Sequence, residues 1–203
     1  MPAAPKGVVW DVGNVIVRWD PRTLYSRIFP DAAQRDDFLT RVCSMTWHLE
    51  TDLGVHPGEN TAALIARFPE HEAEIRAWWD RWEEMFSGVI EETEAVIHEL
   101  AERGTPQFGL TNMAAHCWPD IRAMSPAFEH LAHVVVSGEE RLIKPDPRIF
   151  KRLCERAGVA PAELVFVDDS ARNIEAAQAL GFHVHHFTDP AGLRPALAAL
   201  GLL

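Results

Sequence analysis

Cysteine is scarce. The three thiols, Cys43, Cys117 and Cys154, are odd in number, widely spaced and without a Cys-x-x-Cys pair. A disulfide framework is therefore not expected, and a reduced, cytoplasmic setting is. Long apolar runs are missing too. Residues 1–7 hold no apolar signal core, and the apolar stretch after them is broken by Asp11, Asn14 and Arg18, so neither a signal peptide nor a membrane partner is expected. The absence of a P-loop and of any Gly-x-Gly-x-x-Gly run removes the usual nucleotide cofactor sites. No repeat of about 20 to 50 residues and no low-complexity tract occurs, which excludes solenoid arrays. Positive charge is in short supply: Lys plus Arg number 19 against 30 Asp plus Glu, a formal charge of −11. Such a surface repels phosphate backbones, so nucleic acid is not an expected partner. A small anionic substrate would need a locally positive pocket, built from a cation or an inward lysine. No feature specifies an oligomer.

What is present is enough for a globular core. Of 203 residues 47% are hydrophobic and 24% charged, so apolar burial can offset the entropy of ordering the chain. Four short apolar runs, 8–11, 107–111, 133–137 and 164–168, have the length of buried strands, and each leads straight into polar residues. Helical patterns alternate with them. Thr93, Val96, Ile97 and Leu100 form one apolar stripe that stops at Gly104. Asp146 as N-cap, Pro147 in the first turn, then Ile149, Phe150, Leu153, Cys154 and Ala157 inward and Gly158 as the stop, form a second. A third runs over 170–180 and closes at Gly181. Strand-helix alternation predicts an α/β fold, a Rossmann-like parallel sheet with helices on both faces.

Residues 18–87 break the rhythm. They show successive helical patterns and no convincing strand, which predicts a helical insertion between core segments 1–17 and 88–203. Seven Trp against one Tyr is an unusual ratio, and Ile75, Trp78, Trp79, Trp82 and Phe86 fall at helical spacing within the insertion. The expectation for this stripe is packing inside a small bundle rather than ligand stacking.

In open parallel sheets ligands bind beyond the carboxyl ends of the strands. Those ends carry Asp11, Thr111-Asn112 and Asp168-Asp169, with Lys144 a short loop after the third run. Singly, each has an ordinary reading as a turn former, helix cap or solvated charge. The acidic pair is harder to place without a cation, because adjacent carboxylates closing an apolar strand repel each other. A hard divalent ion that takes a few carboxylates and several waters resolves that repulsion.

Taken in order, these residues resemble the four motifs of the haloacid dehalogenase-like superfamily. The segments are Val8-Val9-Trp10-Asp11-Val12-Gly13-Asn14-Val15, Gly109-Leu110-Thr111-Asn112, Lys144-Pro145-Asp146 and Val165-Phe166-Val167-Asp168-Asp169-Ser170. The flanks, Arg148-Ile149-Phe150 and Asn173-Ile174-Glu175-Ala176-Ala177, look like the family as well. The resemblance implies a magnesium-dependent hydrolase of small phosphate esters, with Asp11 attacking phosphorus to form an aspartyl-phosphate. It implies magnesium on Asp11, the Gly13 carbonyl and Asp169, with Asp168 in or just outside the ligand shell. Thr111 and Asn112 would hold phosphate oxygens, Lys144 would neutralise the developing charge, and the insertion would be the cap that closes the site.

Most phosphatases of this superfamily carry a second Asp two residues after the nucleophile, which protonates the leaving group; here Gly13 stands there. Three readings stay open. A branch with the pattern Asp-x-Gly-Asn-Val, which this chain resembles, is regarded as acting on sugar phosphates, and a cap residue such as His48, Glu50, Asp52 or His56 could supply the proton. Dehalogenation through Asp11 needs no such acid, although it would gain nothing from an acidic metal pair. A weakly active or inactive relative that binds a ligand is the third. His183, His185 and His186 lack partners at familiar metal-ligand spacing, and an edge strand is expected there rather than zinc. Cys117 and Cys154 fall in helical patterns and are expected to be buried thiols.

Overall fold

The computed structural model describes residues 4–203. In chain order its elements begin with strands β1 (Gly7–Trp10) and β2 (Val17–Trp19) and helices α1 (Pro21–Ile28), α2 (Ala32–Arg41), α3 (Met45–Asp52), α4 (Pro57–Arg67) and α5 (Glu72–Asp80). Strand β3 (Phe86–Val89), helix α6 (Glu91–Glu102), strand β4 (Gln107–Thr111), helix α7 (Trp118–Ala123), strand β5 (His133–Val136) and helices α8 (Ser137–Glu140) and α9 (Pro147–Ala157) follow. The chain ends with β6 (Leu164–Asp168), α10 (Ala171–Ala179), β7 (His183–His186) and α11 (Pro190–Ala199).

Five strands make one parallel sheet in the order β5-β4-β1-β6-β7. Period-2 alternation sorts their side chains onto two faces. Val8, Trp10, Val165 and Val167 point toward α6, α7 and α11, where Val96, Ile97, Leu100, Ile121, Leu193 and Leu197 cover them. Val9, Phe108, Leu110, Leu164 and Phe166 point the other way, toward Ile149, Phe150 and Leu153 of α9 and Ile174 and Ala177 of α10. The Rossmann-like α/β expectation is met. Helix α9 forms where local chemistry favours it: Asp146 accepts from the Arg148 amide, Pro147 opens the first turn, and Gly158 ends the helix at φ 66°. Cys154 and Ala157 face inward as the sequence pattern placed them and pack against the cluster on the Val9 face, although Cys154 is half-buried rather than fully buried. Ser170 is the N-cap residue of α10 rather than its first residue. The three-histidine run is the parallel edge strand β7, as expected.

The segment between β2 and β3 is helical and has a cluster of its own: Leu24, Tyr25, Phe38, Val42, Cys43, Trp47, Leu64, Ile75, Trp78 and Met85. Trp79, Trp82 and Phe86 pack against this cluster and also against the α6 side of the sheet. Two features differ from the sequence reading. A short antiparallel ribbon, β2 with β3, joins the helical segment to the sheet, so the expected boundaries at 17/18 and 87/88 fall inside paired strands. The aromatic stripe is helical only as far as Asp80. Arg81 caps α5 with φ −131°, Trp82–Met85 is a 3-10 turn, and Phe86 opens β3 opposite Trp19. Pairing with β2 takes Phe86–Val89 out of the helical conformation, with Gly88 at φ 110° where the ribbon is irregular, and that pairing overrides the helical spacing. Among the described residues no helix is long and apolar enough to cross a membrane.

Candidate active site

Strand β1 lies between β4 and β6, so the chain leaves it in both directions and a crevice opens beyond its carboxyl end. Asp11 sits at that point. Its amide donates to the Val167 carbonyl at 2.9 Å, which ties it to β6, and its Oδ1 accepts from the Val12 amide at 2.7 Å. The chain then turns tightly, with the Ile16 and Val17 amides both donating to the Val12 carbonyl. Asn14 takes φ 57° in this turn, a left-handed conformation that Asn tolerates better than most residues. Its side chain accepts from the Trp19 amide at 3.0 Å and hydrogen-bonds Asp169. Gly13 also lines the crevice, and a Cβ built there would meet nothing within 4 Å.

Lys144 is the centre of the charge arrangement. Its Nζ lies 2.8 Å from Asp11 Oδ1 and 2.8 Å from Asp168 Oδ2, in a site almost closed to solvent. The backbone of Lys144 is gripped by Asn112, whose Oδ1 accepts from the Lys144 amide at 2.8 Å and whose Nδ2 donates to the Lys144 carbonyl at 3.1 Å. The Asn112 side chain thus holds the lysine loop instead of capping a helix, as a strand-end Asn can. The loop after Thr111 is fixed from β5's end: Ser137 Oγ accepts from the Met113 amide at 2.9 Å, and the Gly138 amide donates to the Met113 carbonyl at 3.1 Å. A Cβ on Gly138 would come within 2.6 Å of the Ala115 nitrogen, so this approach requires glycine.

Asp168 is fully buried and its two oxygens are occupied. Oδ1 accepts from the Ser170 amide at 2.8 Å and from Asn173 Nδ2 at 3.0 Å; Oδ2 accepts from Lys144 and, at 3.1 Å, from Asn173 Nδ2. Asp169, exposed at the rim, joins Asp11 and Asp168 in a cluster to which each contributes one oxygen, the three lying within 4.8 Å of one another. Burial raises the Asp11 carboxyl well above its ordinary value; Lys144 pulls it back, and Asp168 and Asp169 add to the rise. Asp169 is raised by burial and then by Asp168. Burial works to lower Lys144, but Asp11 and Asp168 outweigh it and hold the ammonium above its usual range. Three carboxylates against one ammonium leave negative charge uncompensated on an all-oxygen donor set, which fits a hard divalent cation.

Above this floor the crevice widens into a cavity of about 300 Å³. Its far wall comes from the helical segment and its ribbon: Trp19, Met45, Leu49, Trp82 and Phe86 with the polar pair His48 and Asp52. His48 is stacked on Trp19 at 5.4 Å and on Trp82 at 6.2 Å, and burial lowers it to about 4. Asp52 is buried, with the Ala114 amide donating to it, and burial pushes its carboxyl up to about 7.

The structure therefore brings together Asp11, Gly13, Thr111, Asn112, Lys144 and Asp169 on one cavity wall, with Asp168 directly behind. Of the four proton-donor candidates, His48 and Asp52 line the cavity; Glu50 and His56 are exposed, and His56 caps α4 through the Gly58 amide. Sequence reasoning assigned no role to Asn173, Ser137 or Trp19. Asn173 carried a usable signal, since it is a polar residue beside Ile174 and one turn before Ala177 on the buried stripe of α10.

A family model described as haloacid dehalogenase-like hydrolase matches residues 5–181. A sesquiterpene phosphatase of Aspergillus oryzae is 25% identical over 184 residues, 91% of this chain and 90% of that one. (S)-2-haloacid dehalogenase 1 of a Pseudomonas species is 38% identical over only 55 residues, 27% of this chain and 24% of that one. Among solved structures, a predicted HAD-like family hydrolase from Porphyromonas gingivalis superposes with a TM-score of 0.73 at 20% identity, covering 98% of each chain. A HAD family enzyme from Bacteroides thetaiotaomicron, solved with magnesium and inorganic phosphate, superposes at 0.66 with 20% identity, over 89% of this chain and 93% of that one.

Proposed function

Because the chain belongs to the haloacid dehalogenase-like hydrolases, we propose that it is a magnesium-dependent phosphatase of small phosphate monoesters that works through an aspartyl-phosphate on Asp11. The observation that carries this reading is the Lys144 ammonium bridging Asp11 and Asp168 inside a three-carboxylate cluster. A nucleophile fixed by the Val12 amide and Lys144 is held ready for in-line attack on phosphorus. Thr111 and the backbone amide of Asn112 receive non-bridging phosphate oxygens, since the Asn112 side chain is already engaged by Lys144. Lys144 offsets the charge that accumulates on Asp11 and the phosphoryl group.

Asp11, Asp169 and the Gly13 carbonyl are the residues to hold magnesium. Asp168 would support the site without ligating the ion, because a carboxylate offers about four lone-pair sites and its oxygens already accept from Ser170, Asn173 and Lys144. When bound, the ion supplies positive charge that lets an anionic nucleophile meet an anionic phosphate. The helical segment between β2 and β3 acts as the cap. The apolar wall of Trp19, Met45, Leu49, Trp82 and Phe86 favours an apolar organic group over the sugar expected from the Asp-x-Gly-Asn-Val pattern, because a ring of hydroxyls would find few partners there. The full-length similarity to a sesquiterpene phosphatase supports the same preference.

The test is phosphate release with magnesium across a panel of sugar phosphates and apolar phosphate monoesters. Asp11→Asn is expected to remove all turnover, and EDTA to do the same. The short dehalogenase match and the missing acid at Gly13 keep one competitor in view: metal-free turnover of 2-chloropropionate with no ester hydrolysis would replace the phosphatase reading. Inactivity on both classes, with no magnesium binding by calorimetry, would leave a ligand-binding protein.

A further inference from the structure

Gly13 leaves no proton donor beside the nucleophile, yet the cavity contains a carboxyl with nothing to do. Asp52 is the last residue of α3, 2% exposed, and faces the cavity that Asp11 and Lys144 floor. One of its oxygens accepts from the Ala114 amide, which follows the phosphate-facing loop 111–113. The other, Oδ1, has no hydrogen-bond partner; His48 Nε2 stands 3.7 Å away, beyond hydrogen-bonding range. A buried, unsatisfied carboxyl oxygen costs stability unless a ligand uses it.

We propose that Asp52, carried by the helical insertion, is the general acid and base of this enzyme. The inference rests on the aspartyl-phosphate reading above. In the first step Asp11 forms its bond to phosphorus as the bond to the leaving oxygen breaks, and the proton on Asp52 Oδ1 passes to that oxygen. In the second step water attacks phosphorus, its proton returns to the Asp52 carboxylate, the bond between phosphorus and Asp11 breaks, and phosphate leaves. Both protons are accounted for.

The surroundings fit the role. Burial holds the Asp52 carboxyl at about 7, so a proton is available near neutrality. The groups facing it do not compete. His48, one turn back on α3, is lowered to about 4 and is neutral; Cys117, from the turn behind β4, is a thiol pushed up to about 12. Lys144 pulls Asp52 down, but its ammonium is held by Asp11 and Asp168.

The decisive pair of probes is benzyl phosphate, whose alcohol needs a proton to leave, and p-nitrophenyl phosphate, whose phenolate does not. Asparagine at 52 keeps an acceptor for the Ala114 amide, and a melting curve establishes that the variant is folded. With Asp52→Asn, kcat/KM for benzyl phosphate should fall about 10²-fold or more, as expected for loss of a general acid. For p-nitrophenyl phosphate it should stay within about threefold, while a stoichiometric burst of p-nitrophenol appears because the phosphoenzyme lacks its base. Wild-type protein gives an independent check should the variant not fold: kcat/KM should decline above a pH of about 7 for the benzyl ester only. Equal losses on both esters, no loss on either, or the same basic limb for both would overturn the assignment of Asp52. A wild-type enzyme that releases no phosphate from either ester fails at the earlier point, the phosphatase reading itself, and Asp52 falls with it.

Discussion

Position 13 is tolerant where its neighbours are not. Its φ is not in the left-handed region and a Cβ there has open space, so nothing in the fold requires glycine. Gly138 is the opposite case, pressed against the 113–115 backbone. An aspartate at 13 should therefore be accepted, and it would stand next to the nucleophile as a second proton source. Gly13→Asp in the Asp52→Asn background is expected to recover about tenfold or more of kcat/KM on benzyl phosphate, within the range that general acids contribute. The measurement is the same two-ester comparison, and no recovery in a folded double variant would count against a proton-transfer defect. At this scale the sequence was generous. Asp11, Thr111, Lys144 and the acidic pair are legible because each closes, or closely follows, an apolar run. Asn112 was legible as a site residue but not as the clamp on Lys144, a contact between residues 32 apart that only the fold creates.

Helix α3 carries two buried titratable groups shifted in opposite directions, and both weigh on its stability. Asp52 is raised to about 7 from an ordinary 3.8. Its neutral form is favoured in the folded state, so this stabilisation is complete below the unfolded value and is lost as pH rises from about 4 through about 7. His48 is lowered to about 4 from 6.5, so its cost grows as pH falls below the unfolded value toward 4. Asp52→Asn removes the first effect alone. The variant should match wild type near the unfolded carboxyl pKa of 3.8 and exceed it in Tm by several degrees at pH 8. That gap corresponds to at most a few kcal/mol, each pKa unit being worth about 1.4 kcal/mol, and differential scanning fluorimetry across pH reads it directly. Strands β1, β4 and β6 were evident as buried apolar runs. The β2–β3 ribbon was not, because its residues are mostly half-exposed, Gly88 interrupts β3, and Trp82 and Phe86 keep a helical spacing after Arg81 has ended the helix. Neither burial of Asp52 nor its view of the cavity has a local signature; both follow from α3 meeting the loop after β4.

For the molecule as a whole, folding assembles the acidic cluster against its own repulsion, and a cation bound there should stabilise the native state. Magnesium at about 100 times its Kd is worth about 2.7 kcal/mol, or roughly 5 to 10 °C in Tm for a chain of this size. Asp169→Asn should abolish most of that rise, and because it removes a carboxylate whose ionisation burial and Asp168 disfavour, the metal-free Tm at neutral pH should equal or exceed that of wild type. Asp168→Asn would instead weaken the buried Lys144 pair, so Asp169 is the informative substitution.

The helical segment packs around its own apolar cluster and meets the sheet domain through a two-stranded ribbon, three shared aromatic residues, Trp79, Trp82 and Phe86, and the contact of α3 with the loop after β4. Such a segment can be exchanged between relatives as a cassette. With the proton donor on the cassette and the nucleophile on the sheet, recombination would transmit the shape of the pocket and the tolerance for a poor leaving group as one inherited trait.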